Sequence, residues 1–354
     1  MRAAAVPLPS QRRQGGVSLR VTRADVAKRA GVSTATVSYA LNGSRQLPQE
    51  TVERVLRAAQ ELHYLPDIIA RSMSTKESMQ IGVLVEDISN PLYGDIILGF
   101  ESMAHQYGYF VSVCTSHRRY NEYFEDAVAR HLDGVFVMAL PTNYEVDRMY
   151  ALTDAGIGVI TSGLCNADVK RICSIENDVV TAMREAMQHL YDRGHREIAF
   201  VTGLSRKLIF DARVPGYLQM VEKLGLSCGD DLLIEGDPPY GTAMQDGYEL
   251  TRRLLRARRR CTAVICVNDL TAMGAYSALR EAGLRIPEDV AVVGFDGIPF
   301  TQFCDPPLTT LRINQHAFGQ KAFKLLHAHM TQGVTGFYSN HMQLVARRST
   351  EIWR

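Results

Sequence analysis

The sequence predicts a small all-helical unit at the start of the chain, followed by a large doubly wound α/β body. Three observations carry this. Residues 1–76 hold short helix patterns and an excess of positive charge, seven short apolar runs follow, and helical patterns lie between most of those runs. The chain has 354 residues, 46% apolar and 22% charged, which is room for two or three domains. Twelve Lys and Arg stand against five Asp and Glu in residues 1–76, a balance of +7. With a net charge of +1 overall, the remainder carries −6. A basic end on an acidic body suggests that this end meets a polyanion.

The start, MRAAAVPLPSQRRQGG, lacks the apolar centre of a signal peptide, and residues 1–19 read as a disordered tail. No apolar run approaches the length of a membrane span. The seven cysteines are scattered with no CxxC pair, which fits reduced thiols in a cytoplasm.

The first helix starts after Thr22, an N-cap with Asp25 three residues on, and turns Val26, Ala27 and Ala30 inward. Gly31 takes the left-handed conformation that ends it, and Ser33 caps a second helix. That helix turns Val37, Ala40 and Leu41 inward, shows Thr34, Ala35, Thr36 and Ser38 outward, and stops at Asn42-Gly43. A third helix, from about Pro48 to His63, carries a stripe of Val52, Val55, Leu56, Ala59 and Leu62 that covers the first two. Residues 20–64 thus form a unit of helix-turn-helix size, with a polar face of the second helix available to DNA. Residues 65–80 follow as a linker. Pro66 breaks the chain there, and DIIARSM makes barely two helical turns, too few to be stable undocked.

From residue 81 the runs IGVLVEDIS, YFVSVCTS, DGVFVMAL, GVITSG, REIAFVTG, TAVICVND and VAVVGFDG read as buried parallel strands. Ligands in such sheets bind at the carboxyl ends of the strands. Those ends supply Asp87, Ser89, Asn90, Tyr93, Ser162, Asn268, Asp269 and Asp296, and Arg213 lies in the following DARVPGY. One arginine with two carboxylates suits a hydroxyl-rich or partly charged small molecule. An Asp after a strand also serves as a helix N-cap. The basic run RRLLRARRR at 252–260 reads as a solvated helix end. There is no GxxxxGK, HExxH or GxGxxG, and His117, His195 and His327 lack partners at metal spacing. Neither an enzyme nor a cofactor or metal is expected.

Taken in order, DVAKRAGVSTATVSYALNG, LHYLPDIIARSM, IGVLVEDISNPLY, GHREIAFVTG, ARVPGY, CVNDLTAMGAYSALREAG, IPEDVAVVGFDG, DPPLTTLR and LVARRST resemble the LacI/GalR (lactose-repressor/galactose-repressor) family of bacterial transcription regulators over residues 20–354. The resemblance implies a cytoplasmic homodimer whose head reads near-palindromic operator DNA. Its body, residues 81–354, is implied to be like a periplasmic sugar-binding protein: lobe one about 81–161 and 299–330, lobe two about 162–298 and 331–354. An effector, a sugar or sugar derivative, is implied to bind between them and to set the operator affinity of what is most often a repressor. An inducer and a co-repressor both fit, as does an activator with the same contacts.

Carried over residue by residue, Thr34, Ala35 and Tyr39 match positions that read base edges, while Thr22, Ser33, Thr36, Ser38 and Asn42 match positions that grip phosphates or cap helices. Many members carry Arg where Tyr39 stands, so the half-site is expected to differ. Residues 68–73 match a hinge helix that enters the minor groove. Ala70 matches the position of close backbone approach, and Met73 matches a leucine wedge, with burial against the body as its alternative role. Asn90, Tyr93, Ser162, Arg213, Asp269 and Asp296 match effector positions, and Tyr240 is a candidate aromatic platform in the long loop GDPPYGTAMQDGY. Many members carry an Asp-Arg pair after the strand at 158–162, where this chain has ITSGLC. The sequence shows no heptad tail, so a tetramer built on one is not expected.

Overall fold

A computed structural model describes residues 21–42, 45–64, 77–115, 120–138, 146–163, 168–205, 211–226, 231–237, 240–256 and 261–351. It forms two compact units, divided between Glu77 and Ser78.

The first unit is three helices: α1 (Arg23–Ala30), α2 (Thr34–Asn42) and α3 (Gln49–Glu61). The Thr22 hydroxyl accepts the Asp25 N–H at 3.3 Å, and Asp25 accepts the Thr22 N–H at 2.8 Å, so the two ends of the box satisfy each other. Gly31 closes α1 at φ 67°, ψ 38°, a conformation that a Cβ would strain, and its N–H reaches Ala27 O. Val26, Val37 and Val55 are fully buried and meet Ala27, Ala30, Ala58 and Ala59. Burying each valine contributes about 1.5–3 kcal/mol, much of what so small a core can gather. The third helix is rotated from the expected stripe: Leu56 is 49% exposed, and Ala58 is buried instead. The linker at 65–76, with Ala70 and Met73, lies outside the described residues.

The second unit holds two six-stranded sheets. Its elements are β1 (Gln80–Val85), α4 (Pro91–Gln106), β2 (Phe110–Thr115), α5 (Tyr120–Ala129), β3 (Gly134–Met138), α6 (Val146–Asp154), β4 (Gly158–Ser162), β5 (Cys173–Asn177), α7 (Val179–Asp192), β6 (Ile198–Val201), α8 (Arg213–Lys223), β7 (Leu233–Ile234), α9 (Met244–Leu255), β8 (Ala263–Cys266), α10 (Asp269–Glu281), β9 (Ala291–Asp296), β10 (Thr309–Arg312), α11 (Gln315–Gln332), β11 (Gly336–Asn340) and β12 (Gln343–Val345). The strand orders are β11-β5-β4-β3-β1-β2 and β12-β10-β9-β8-β6-β7. Every pairing is parallel except β10 with β12. Parallel strands covered on both faces explain the unbroken apolar runs.

The lobe limits differ from the expected ones. Cys173–Asn177 and Gly336–Asn340 pair with each other, and β5 also pairs with β4, so both belong to the first sheet. Thr309–Arg312 pairs with β9 and β12 and belongs to the second. The chain therefore passes between lobes three times, around Asp178, around Asn314 and around His341. The Asp178 N–H donates to Asn340 O at 2.8 Å, tying the first passage to the third. Lobe one is closed by α11 lying on α4. A Cβ at Gly99 would stand 2.0 Å from His316 O, and one at Gly319 would stand 2.0 Å from Ile96 O, so the backbones touch. Phe100 stacks on Phe136 at 5.1 Å and meets Phe323 edge-on at 5.5 Å.

Candidate functional site

In the first unit, α2 presents the expected face. Ser33 is its cap: its hydroxyl accepts the Thr36 N–H at 3.1 Å and bonds the Thr36 hydroxyl at 2.8 Å. Ser33, Thr34 and Ala35 are exposed, and Thr36, Ser38 and Tyr39 are half-buried beside them. Arg45 stands over the Tyr39 ring, 5.8 Å from its centre, so a guanidinium lies next to the tyrosine that marks the departure in this helix. Thr22, the cap of α1, is exposed. Asn42 is the last residue of α2.

In the second unit, polar groups gather at the carboxyl ends of the strands. Asn90 caps α4 by accepting the Leu92 N–H at 3.0 Å, and Asp87 binds the Ser89 N–H at 2.8 Å. That turn sets Tyr93 in the first turn of α4. Ser162 ends β4, half-buried, and the next N–H, of Gly163, donates to Glu176 at 2.8 Å. From lobe two, Arg213 opens α8. Its Nε donates to Asp211 Oδ1 at 2.8 Å, and its Nη1 donates to Val267 O, at the end of β8, at 2.7 Å. Burial works against the guanidinium charge, but Asp211 and Asp296 outweigh it and hold its pKa above the ordinary value. Burial pushes the Asp296 carboxyl up to about 6, against the pull of Arg213. Tyr93 is raised by burial first and then by the charge of Asp296. Tyr93 of lobe one thus lies within reach of the charges of Arg213 and Asp296 of lobe two. Tyr240 is half-buried in a turn whose Thr242 O accepts the Asn268 side chain at 3.0 Å, which puts it at the ends of β6 and β8.

Asp269 opens α10. It is fully buried: Oδ1 accepts the Thr310 hydroxyl at 2.6 Å, and Oδ2 accepts the Ile298 N–H at 2.8 Å. Burial, then the Asp296 charge, raises its pKa. It braces the turn that carries Asp296. Asp296 itself sits at φ 100°, a strained conformation for a residue with a Cβ. Sequence reasoning missed Asp211, Thr310 and Gln315. Only Asp211 left a signal, as an acid two residues from the arginine.

Among the described residues no cluster could hold a metal ion, and no helix is long and apolar enough to cross a membrane. A separate cavity of about 550 Å³, lined by Arg184, His189, Arg193, Lys223 and Leu344 among others, lies between α7, α8 and β12 and includes none of the cleft residues. The buried histidines are structural. His189 pairs with Thr350 at 2.8 Å and His195 with Thr262 at 3.0 Å, and burial pushes both down to about 4.

A helix-turn-helix unit joined to a two-lobed α/β body with polar strand ends is the build of a DNA-binding transcription regulator. Residues 22–67 match the model for bacterial regulatory proteins of the lacI family, and residues 187–350 match a periplasmic binding protein-like domain. The chain is 32% identical to the HTH-type transcriptional repressor PurR of Pasteurella multocida over 92% of its own length and 98% of that protein. It resembles the lac repressor dimer bound to operator and the anti-inducer ONPF, with a TM-score of 0.81 and 26% identity over 93% of this chain and 99% of that one. It also resembles the transcriptional regulator CelR in complex with cellobiose, with a TM-score of 0.70 and 27% identity over 93% and 100% of the two chains. The chain belongs to the lacI family of bacterial regulatory proteins. It is a regulator and not an enzyme.

Proposed function

We propose that the protein is a cytoplasmic homodimeric repressor whose operator affinity is set by a small polar effector, a sugar or sugar derivative, held between the lobes. The observation that carries this reading is that the buried Tyr93 of lobe one lies within reach of the charges of Arg213 and Asp296 of lobe two. A ligand bridging them changes the angle between lobes, and through the linker the spacing of the two heads. In this reading Thr34, Ala35 and Tyr39 read base edges, and Thr22, Ser33, Thr36, Ser38 and Asn42 grip phosphates. Ala70 and Met73 approach the minor groove at the operator centre. Asn90, Tyr93, Ser162, Arg213 and Asp296 contact the effector, with Tyr240 as platform. The CelR–cellobiose likeness supports a sugar ligand.

The dimer is supported by exposed apolar side chains on lobe one, Leu98 of α4 with Phe110 and Val113 of the edge strand β2, which are 59%, 66% and 44% exposed.

The test is to mix the purified protein with sheared DNA from its own source and sequence what it retains, then to titrate mono- and disaccharides into the complex. A shared near-palindrome released or tightened by one sugar is expected. Retention without any common site overturns the operator reading, and a common site indifferent to every sugar overturns the sugar.

A further inference from the structure

The balance of charge around Arg213 narrows the ligand further, an inference that rests on the cleft proposed above. Arg213 is already engaged: Nε and its backbone N–H both donate to Asp211 Oδ1, at 2.8 and 3.0 Å, and Nη1 donates to Val267 O at 2.7 Å. Asp211 is 2% exposed, and its second oxygen, Oδ2, is buried with no hydrogen-bond partner. An acceptor left so is costly, and a bound donor would relieve it. The charge of Asp296 acts on Arg213 as well, and the charges of Glu86 and Asp87, from lobe one, reach Tyr93. The Arg213 guanidinium is thus set among acidic groups. A phosphate or carboxylate entering here finds the Arg213 guanidinium already engaged by Asp211 and its acidic neighbours repulsive. A hydroxyl, amide or ammonium is the kind of group that Asp211 Oδ2 lacks.

We propose that Asp211 is a specificity-determining residue, which makes this cleft a site for a neutral or cationic, hydroxyl- and amine-bearing effector and excludes phosphorylated and carboxylated ones.

The experiment dialyses the full-length protein, and separately Asp211→Asn, against the small-molecule fraction of an extract from the source cells. What each retains is identified by mass spectrometry. Wild type is expected to enrich a compound without net negative charge, and Asp211→Asn to hold it roughly tenfold or more weakly, as the loss of a charged acceptor predicts. A phosphorylated or carboxylated compound enriched by wild type overturns the proposal while leaving the effector cleft standing. Enrichment of nothing overturns the cleft itself. If Asp211→Asn melts early, the charge of the compound held by wild type still decides.

Discussion

The side chain of Gln315 donates to the main-chain carbonyl of Asp296 at 3.0 Å and to that of Gly297 at 3.2 Å. Gln315 begins α11, the helix that closes lobe one, whereas Asp296 ends a strand of lobe two. The left-handed turn that offers Asp296 to the cleft is therefore held from the opposite lobe. Movement of that turn on binding passes directly into α11. Gln315→Ala is expected to leave effector affinity within about threefold while cutting the effector's influence on operator affinity several-fold, out of a coupling of about 1–3 kcal/mol. Calorimetry with effector, set beside operator titrations with and without it, reads the two quantities separately.

Arg213→Ala removes the guanidinium but leaves Asp211 buried. Effector affinity is expected to fall about 10–100-fold, the loss of a charged hydrogen bond, with operator affinity unchanged in the absence of effector. An undiminished response to effector removes Arg213 from the cleft.

Asp269→Ala strands the Ile298 N–H and the Thr310 hydroxyl and frees the turn beneath Asp296. A loss of about 2–4 kcal/mol is expected, a fall in melting temperature of roughly 5–10 °C for a body of this size. Thr310→Val, which removes one of the two bonds, is expected to show about half of that.

Acid stability follows from four buried groups, His189, His195, Asp296 and Asp269. His189 and His195 are held neutral, near 4 against an ordinary 6.5, so the unfolded chain takes up their protons first and stability is lost as pH falls from 6.5 toward 4. Asp296, raised from 3.8 to about 6, acts oppositely: the folded state keeps its proton longer, and stability falls as pH rises from 3.8 to 6. Asp269, raised by burial and then by the charge of Asp296, pulls the same way as Asp296, so the two aspartates offset the two histidines and the melting temperature is expected to change little between pH 4 and 6.5. Asp296→Asn removes one of the opposing pair and is expected to make the melting temperature climb with pH there. A slope unchanged in that variant shows that Asp296 titrates normally.

Gly99→Ala drives a methyl group into His316 O, and neither helix backbone can yield. Destabilisation of several kcal/mol in the body is expected, with the helix-turn-helix unit spared, because its core is separate. Circular dichroism melts of the full chain would show the body's transition shifted and the other retained.

The layered body was legible because parallel strands, buried on both faces, are written as apolar runs, and the caps at Thr22 and Ser33 were legible because capping is local. What escaped was pairing between distant segments. Nothing in GFYSN or CSIEN says that they lie side by side, so the lobe limits were misplaced. Asp269 and Asp296 both follow strands and look alike in sequence. Only Thr310 and Ile298, brought in from a neighbouring strand and turn, make one a brace and leave the other to face Arg213.

The three passages between lobes also govern how the protein comes to exist. The strand that completes the first sheet, Gly336–Asn340, is among the last segments to leave the ribosome, although its sheet began at Gln80. Until then β5 waits with one edge open. A premature stop anywhere between those points thus leaves no whole lobe, only a DNA-reading head on a body with unpaired edges, fit for proteases and chaperones rather than for a working half-protein.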